Sequence, residues 1–165
     1  TALRYLAASL TTIPVETPSP PKFFLTMTLP LETKYRLRIN DQIVGYLRKI
    51  DGRSHFYSID GFWWSGRKIN YKDIDEWTGF LDKNRTPIYE WDILYFKIDP
   101  DGKDCTGVVL WEANQKRFVI RKVDDDSYFP FVLDGLQLFN DRQLKVFSYL
   151  FLNPDLKAHL GLDDE

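Results

Sequence analysis

Cysteine is nearly absent. A single residue, Cys105, stands in a chain of 165, which excludes an internal disulfide framework and suits a reducing compartment. Histidine is almost as scarce, with only His55 and His159, so a thiol nucleophile has few bases to work with and Cys105 reads as a strand-edge residue. No stretch approaches the roughly 18 apolar residues of a membrane-spanning helix. A surplus of charge is missing too: 22 basic residues stand against 24 acidic ones, and phosphate binding usually shows itself as a basic excess. These shortages predict a soluble, cytoplasmic protein with no cofactor and no membrane insertion. At this length a core forms without staples of any kind.

Aromatic residues are abundant. Twelve Phe, nine Tyr and five Trp make up 16% of the sequence, a composition that suits pleated strands better than helices. The chain begins at Thr1, and its one methionine, Met27, opens MTLPLETKYRLRI, which reads like an ordinary protein start. Residues 1–26 are therefore expected to be an arm. Leu3, Leu6, Ala7 and Leu10 allow a short amphipathic helix, and Pro14, Pro18, Pro20 and Pro21 predict an extended linker after it. The remainder, 27–165, is expected to be one β domain.

From Tyr35 the apolar period falls to two. Tyr35, Leu37 and Ile39 alternate with Arg36 and Arg38, predicting a strand with one face in the core and one positive face in solvent. Asn40-Asp41, Asp51-Gly52 and Asp60-Gly61 punctuate the chain beyond it into a meander of short strands. Arg36, Arg38, Arg48, Lys49 and Arg53, interleaved with Tyr46 and Phe56, sketch a basic and aromatic face of the kind that stacks single-stranded nucleic acid. Phe62, Trp63 and Trp64 cannot all point to one side of a strand, so one ring is expected outside. Further strands are predicted over 93–98, 105–111, 117–123, 128–133, 136–139 and 144–152. Asn153-Pro154-Asp155 then opens a two-turn helix that Gly161 stops, with Leu156 and Leu160 closing a barrel end.

The densest signal is Trp77 to Ile93, WTGFLDKNRTPIYEWDI. Its turn residues, Thr78-Gly79 and Asp82 to Arg85, alternate with the bulk of Phe80, Ile88, Tyr89, Trp91 and Ile93. Together with Gly107-Val108-Val109, Trp111, Phe118 and Asn153-Pro154-Asp155-Leu156, this run resembles the signature of the YopX-like family, small proteins encoded by bacteria and their phages. The resemblance spans about Met27 to Leu162 and implies an all-β fold with a small SH3-like barrel and no established enzymatic activity. Two positions depart from it. Trp91 stands where the family pattern usually has glycine, and Arg85 occupies another such position; if those glycines serve turns with φ > 0, this backbone must differ or carry strain.

The motif holds turns, core aromatics and paired charges but no nucleophile with a base. Glu90 and Asp92, two apart, are the nearest approach to a hydrolytic carboxylate pair. The expected function is therefore a non-enzymatic interaction or assembly module that binds another protein, or itself, through Phe62, Trp63, Trp64, Trp77 and Trp91, with or without the arm. The alternative is a nucleic-acid-binding phage regulator using the basic strands over 35–53.

Overall fold

Among the described residues twelve strands, paired antiparallel, and one short α-helix make up the regular structure. In the computed structural model the described residues are 32–59 and 67–162. The expected arm over 1–26, its boundary with the domain, and Phe62, Trp63 and Trp64 lie outside them.

Strands β1 (Glu32–Ile39), β2 (Gln42–Ile50) and β3 (Arg53–Tyr57) form the predicted meander. Asn40 at φ 55°, and Asp51 and Gly52 at 50° and 79°, make its turns in the left-handed region, which Asn, Asp and Gly enter most easily. Strands β4 (Asp73–Leu81) and β5 (Pro87–Tyr89) complete a first sheet in the order β3-β2-β1-β4-β5. A second sheet, ordered β12-β6-β7-β8-β9, uses β6 (Asp92–Phe96), β7 (Cys105–Glu112), β8 (Arg117–Lys122), β9 (Tyr128–Pro130) and β12 (Leu144–Tyr149). Between β9 and β12, β10 (Val132–Leu133) and β11 (Leu136–Gln137) pair only with each other. The all-β class is as expected, but the sheets do not close into a barrel: β12 and β9 end the second sheet, and β3 and β5 end the first.

The second sheet is buried on both faces, because its strands alternate between two apolar clusters. Leu94, Phe96, Val109, Ile120 and Leu144 face one cluster with Ile88 of β5, and Phe80 of β4 packs against it. Ile93, Val108, Leu110 and Val119 face the other, under Leu150 and Leu160. Gly107 lies where Phe96 and Ile120 close in, since a Cβ there would sit 2.4 Å from Ile120 Cγ2. Helix α1 (Pro154–His159) starts and stops where predicted, and Gly161 at φ 68° ends it with its N–H donated to Ala158 O. Asn153 does not cap with its side chain; its amide instead donates to Ser148 Oγ and Tyr149 O, tying the helix start to β12. Leu160 and Leu156 cover the face of an open sheet rather than the end of a barrel.

Strand β4 begins ahead of the predicted convergence, and the reason is chemical. DIDE is a poor strand sequence by propensity, yet Asp75 is fully buried and pairs across the sheet with Arg36. An ion pair, invisible to an apolar period, holds it there.

Candidate functional site

In the register of the first sheet, Arg36 lies opposite Tyr46 on β2 and Asp75 on β4, so all three share one face. That face looks onto β12 and the β5–β6 turn, not onto water. Arg36 is 1% exposed. Its Nε donates to Asp75 Oδ2 at 2.8 Å, Nη1 donates to Asp92 Oδ1, and Nη2 donates to the Glu90 carbonyl at 2.9 Å. The guanidinium also lies over the rings of Tyr89, Tyr149 and Phe151, at 5.2, 4.8 and 5.1 Å. Only a planar fork of donors can meet two carboxylates and a carbonyl while its faces touch aromatic rings. Arg38 adds a two-pronged pair with Asp75, at 2.8 and 2.9 Å. Two cations thus meet two buried carboxylates, which is what makes their burial tolerable.

The remaining lone pairs are taken as well: Asp92 Oδ2 accepts the Tyr89 N–H at 2.9 Å. Burial still pushes the Asp92 carboxyl up to about 6, against the pull of Arg36 and of that N–H. Glu90 is likewise pushed up to about 6, by burial first and then by Asp75 and Glu76. The two do not act as a carboxylate pair: Asp92 receives Arg36 through its side chain, and Glu90 does so through its backbone.

The expectation of a single basic face over β1–β3 is corrected by this register. Arg36 is enclosed because β1 is buried on both sides, with Leu37 fully buried on the other. Arg38 is turned inward to Asp75. Arg48 pairs with Glu32, while Lys49, opposite Thr33 rather than Lys34, projects from the other face and lies 5.5 Å over Tyr35. Arg53 is exposed at the start of β3. The five cations therefore divide between two faces and the interior.

Above Arg36, between the two sheets, a cavity of about 370 Å³ opens. Tyr46, Tyr57, Tyr89 and Tyr149 line it, with Lys34 and Arg48 half-exposed at its edge. The Tyr46 and Tyr89 ring centroids are 5.9 Å apart. Burial raises the Tyr46 hydroxyl pKa, and the neighbouring Tyr149 raises it further; Tyr89 is raised by burial and then by Tyr46.

The central stretch is mostly architectural. Asp82, buried, accepts the N–H groups of Asn84 and Thr86 with one oxygen and that of Val146 with the other, fastening the loop to β12. Arg85 has φ 64° and Trp91 φ 72°, so both residues standing where the family pattern has glycine are in the left-handed region. Trp91 is half-buried: its ring packs on the cluster beneath α1, its N–H donates to Val109 O, and its carbonyl accepts from Leu150 N. Its surface borders a groove with Arg38, Ile74 and Phe151. Trp77 donates its indole N–H to Phe80 O, and Lys34 lies 4.5 Å over its ring.

The surface that sequence reading passed over is the β10–β11 hairpin. Val132, Leu133, Leu136 and Leu138 are 42, 43, 72 and 39% exposed. Phe131 and Phe139 on either side are buried in the core, and the Leu138 N–H donates to Phe131 O, so the hairpin projects from a fixed base. VLDGLQL carried the signal: two apolar runs too short to bury their side chains flank a tight Asp-Gly turn.

No protein-family model matches the chain, and no curated protein matches it. Among solved structures, it is similar to the crystal structure of protein EF1440 from Enterococcus faecalis, at 17% sequence identity over 82% of this chain and 99% of that one, with a TM-score of 0.31.

Proposed function

We propose that the chain is a non-enzymatic protein-binding module of the YopX-like, phage or mobile-element type, working in the cytoplasm. The YopX-like reading is supported by the positive φ of Arg85 and Trp91, since a family glycine at each position would serve the same turn. The binding reading rests on one observation: the cross-strand pair Leu133 and Leu136 is exposed, with Val132 and Leu138 beside it, on a hairpin whose base is locked into the core. Scattered exposed leucines are ordinary, but a rigid apolar projection marks a surface that another chain covers. It replaces Trp77 and Trp91 as the contact surface, because both have internal work. A nucleic-acid role loses support with the enclosure of Arg36 and Arg38. Among the described residues no helix is long and apolar enough to cross a membrane.

The partner is a different protein with an apolar recess that receives Leu133 and Leu136. A photo-crosslinking amino acid placed at Leu136, and separately at Ile74 beside Trp91, tests this in the native host. A heteromeric adduct from Leu136 that disappears with Leu133→Asp is the expected result. No adduct from Leu136, an adduct only from Ile74, or a Leu136 adduct with a second copy of this chain each overturns the proposal.

A further inference from the structure

The cavity between the sheets has a chemistry that neither the hairpin nor the ion-pair network uses. We infer that it is a binding site for a small organic oxyanion, a carboxylate or phosphate monoester carried on a compact, flat body.

Size comes first. At about 370 Å³ the cavity falls at the lower end of the ~300–1,000 Å³ typical of small-molecule sites, room for one ring and its anionic group. Its walls match such a body: Leu47, Ile59, Pro87 and Val146 supply apolar contact, beside the mutually packed rings of Tyr46 and Tyr89.

The polar groups decide the class. Tyr46, Tyr89 and Tyr149 all line the cavity, and each carries a phenol hydroxyl that can donate. Tyr89 is only 7% exposed, so most of its ring is enclosed by its neighbours. Three phenols are three potential donors, and an ionised carboxylate or phosphate has more acceptor sites than an amide or alcohol and takes stronger, charge-assisted hydrogen bonds. Charge points the same way. Among the described residues the lining contains Lys34, Arg36 and Arg48 against one carboxylate, Asp92. Arg36 is neutralised by Asp75 and Asp92, and Arg48 by Glu32, while Lys34, 3.9 Å from the same Glu32 and 4.5 Å over the Trp77 ring, stands one-third exposed at the edge. An anion entering there meets a net positive edge, then phenol donors, then the face where Arg36 is held rigid from behind. Such preorganisation favours binding because little has to be ordered on arrival.

The test titrates benzoate, phenyl phosphate and benzamide into the full chain by calorimetry and ligand-observed NMR at neutral pH. The two anions distinguish a carboxylate from a phosphate ligand, and benzamide removes the charge while keeping the shape. At least one anion is expected to bind saturably, with benzamide at least ~10-fold weaker. Tyr46→Phe and Tyr149→Phe keep each ring and remove only its hydroxyl; each is expected to weaken the anion several-fold, roughly one lost charge-assisted hydrogen bond, with the thermal midpoint unmoved. Lys34→Gln is expected to weaken it too, and more at low salt than at high. The inference is overturned by any of three results: no saturable binding up to about 10 mM, the weak end of specific affinity; equal affinity for benzamide; or unchanged affinity in the Tyr46→Phe, Tyr149→Phe double variant. Each would leave the cavity as a hydrated gap between sheets.

Discussion

Arg85 and Trp91 have the same backbone sign, φ 64° and 72°, and different side-chain circumstances. A bulky residue in the left-handed region costs about 1–2 kcal/mol relative to glycine. At Arg85 little offsets that cost, because the side chain is 73% exposed and its one ion pair, to Asp141 at 3.1 Å, is a surface contact. Arg85→Gly is therefore expected to stabilise the fold by up to about 1 kcal/mol in urea unfolding. Trp91 is different. Its indole packs on Leu150, Leu160 and their neighbours, and full loss of a buried Trp costs about 3–5 kcal/mol, so a half-buried one is worth roughly half as much. Trp91→Gly is expected to lower stability by about 0–1.5 kcal/mol, the packing loss less the relieved backbone. A clearly stabilising Trp91→Gly would show that the ring's packing is worth less than the strain of its backbone; a destabilising Arg85→Gly would give Arg85 a role beyond its turn.

Elements announced by apolar period and turn chemistry were legible in the sequence, and those held by charge were not. The β1–β3 meander, β6 to β8 and the closing helix follow from alternation, Asp-Gly turns and the Asn153-Pro154 start. The start of β4 was not legible, because its buried residue is Asp75, and nothing local says that an arginine 39 positions earlier will meet it. For the same reason Arg36 read as a solvent-facing cation: alternation cannot reveal that both faces of a strand are covered. The hairpin hid for the opposite reason, since a short apolar run looks like core until its neighbours are known. The charged part of the sheet-to-sheet contact is centred on Arg36. Arg36→Met leaves Asp92 without its cation and Asp75 with Arg38 alone, and is expected to cost about 3–5 kcal/mol. Adding Asp92→Asn removes the stranded charge and is expected to restore part of that loss. Urea melts of the two single variants and the double measure the coupling, and strictly additive effects would mean that Arg36 and Asp92 do not act as a pair.

At the scale of the whole molecule, two open sheets meet across carboxyls whose proton affinity folding has raised, and this fixes how stability depends on pH. Asp92 and Glu90 titrate near about 6 in the folded chain, against about 4 when unfolded. Between those values the folded state holds more protons than the unfolded one, so stability is greatest toward the lower value and is lost as pH rises through about 6. Asp125 has the opposite sign. The Ser127 hydroxyl and N–H hold it down to about 2, so its contribution is present above about 4 and is lost as pH falls below that; being fully solvated, it counts for little. The expected profile has its maximum near pH 4–5 and declines toward neutrality, and it is flatter in Asp92→Asn and flatter still with Glu90→Gln added. Unfolding in urea, followed by tryptophan fluorescence at half-unit steps from about pH 4 to 8, gives the slope directly. A wild-type stability that climbs across this range would mean that Arg36 keeps Asp92 charged despite its burial. The two sheets would then be joined by a permanent ion pair, and acid rather than neutral pH would be what separates them.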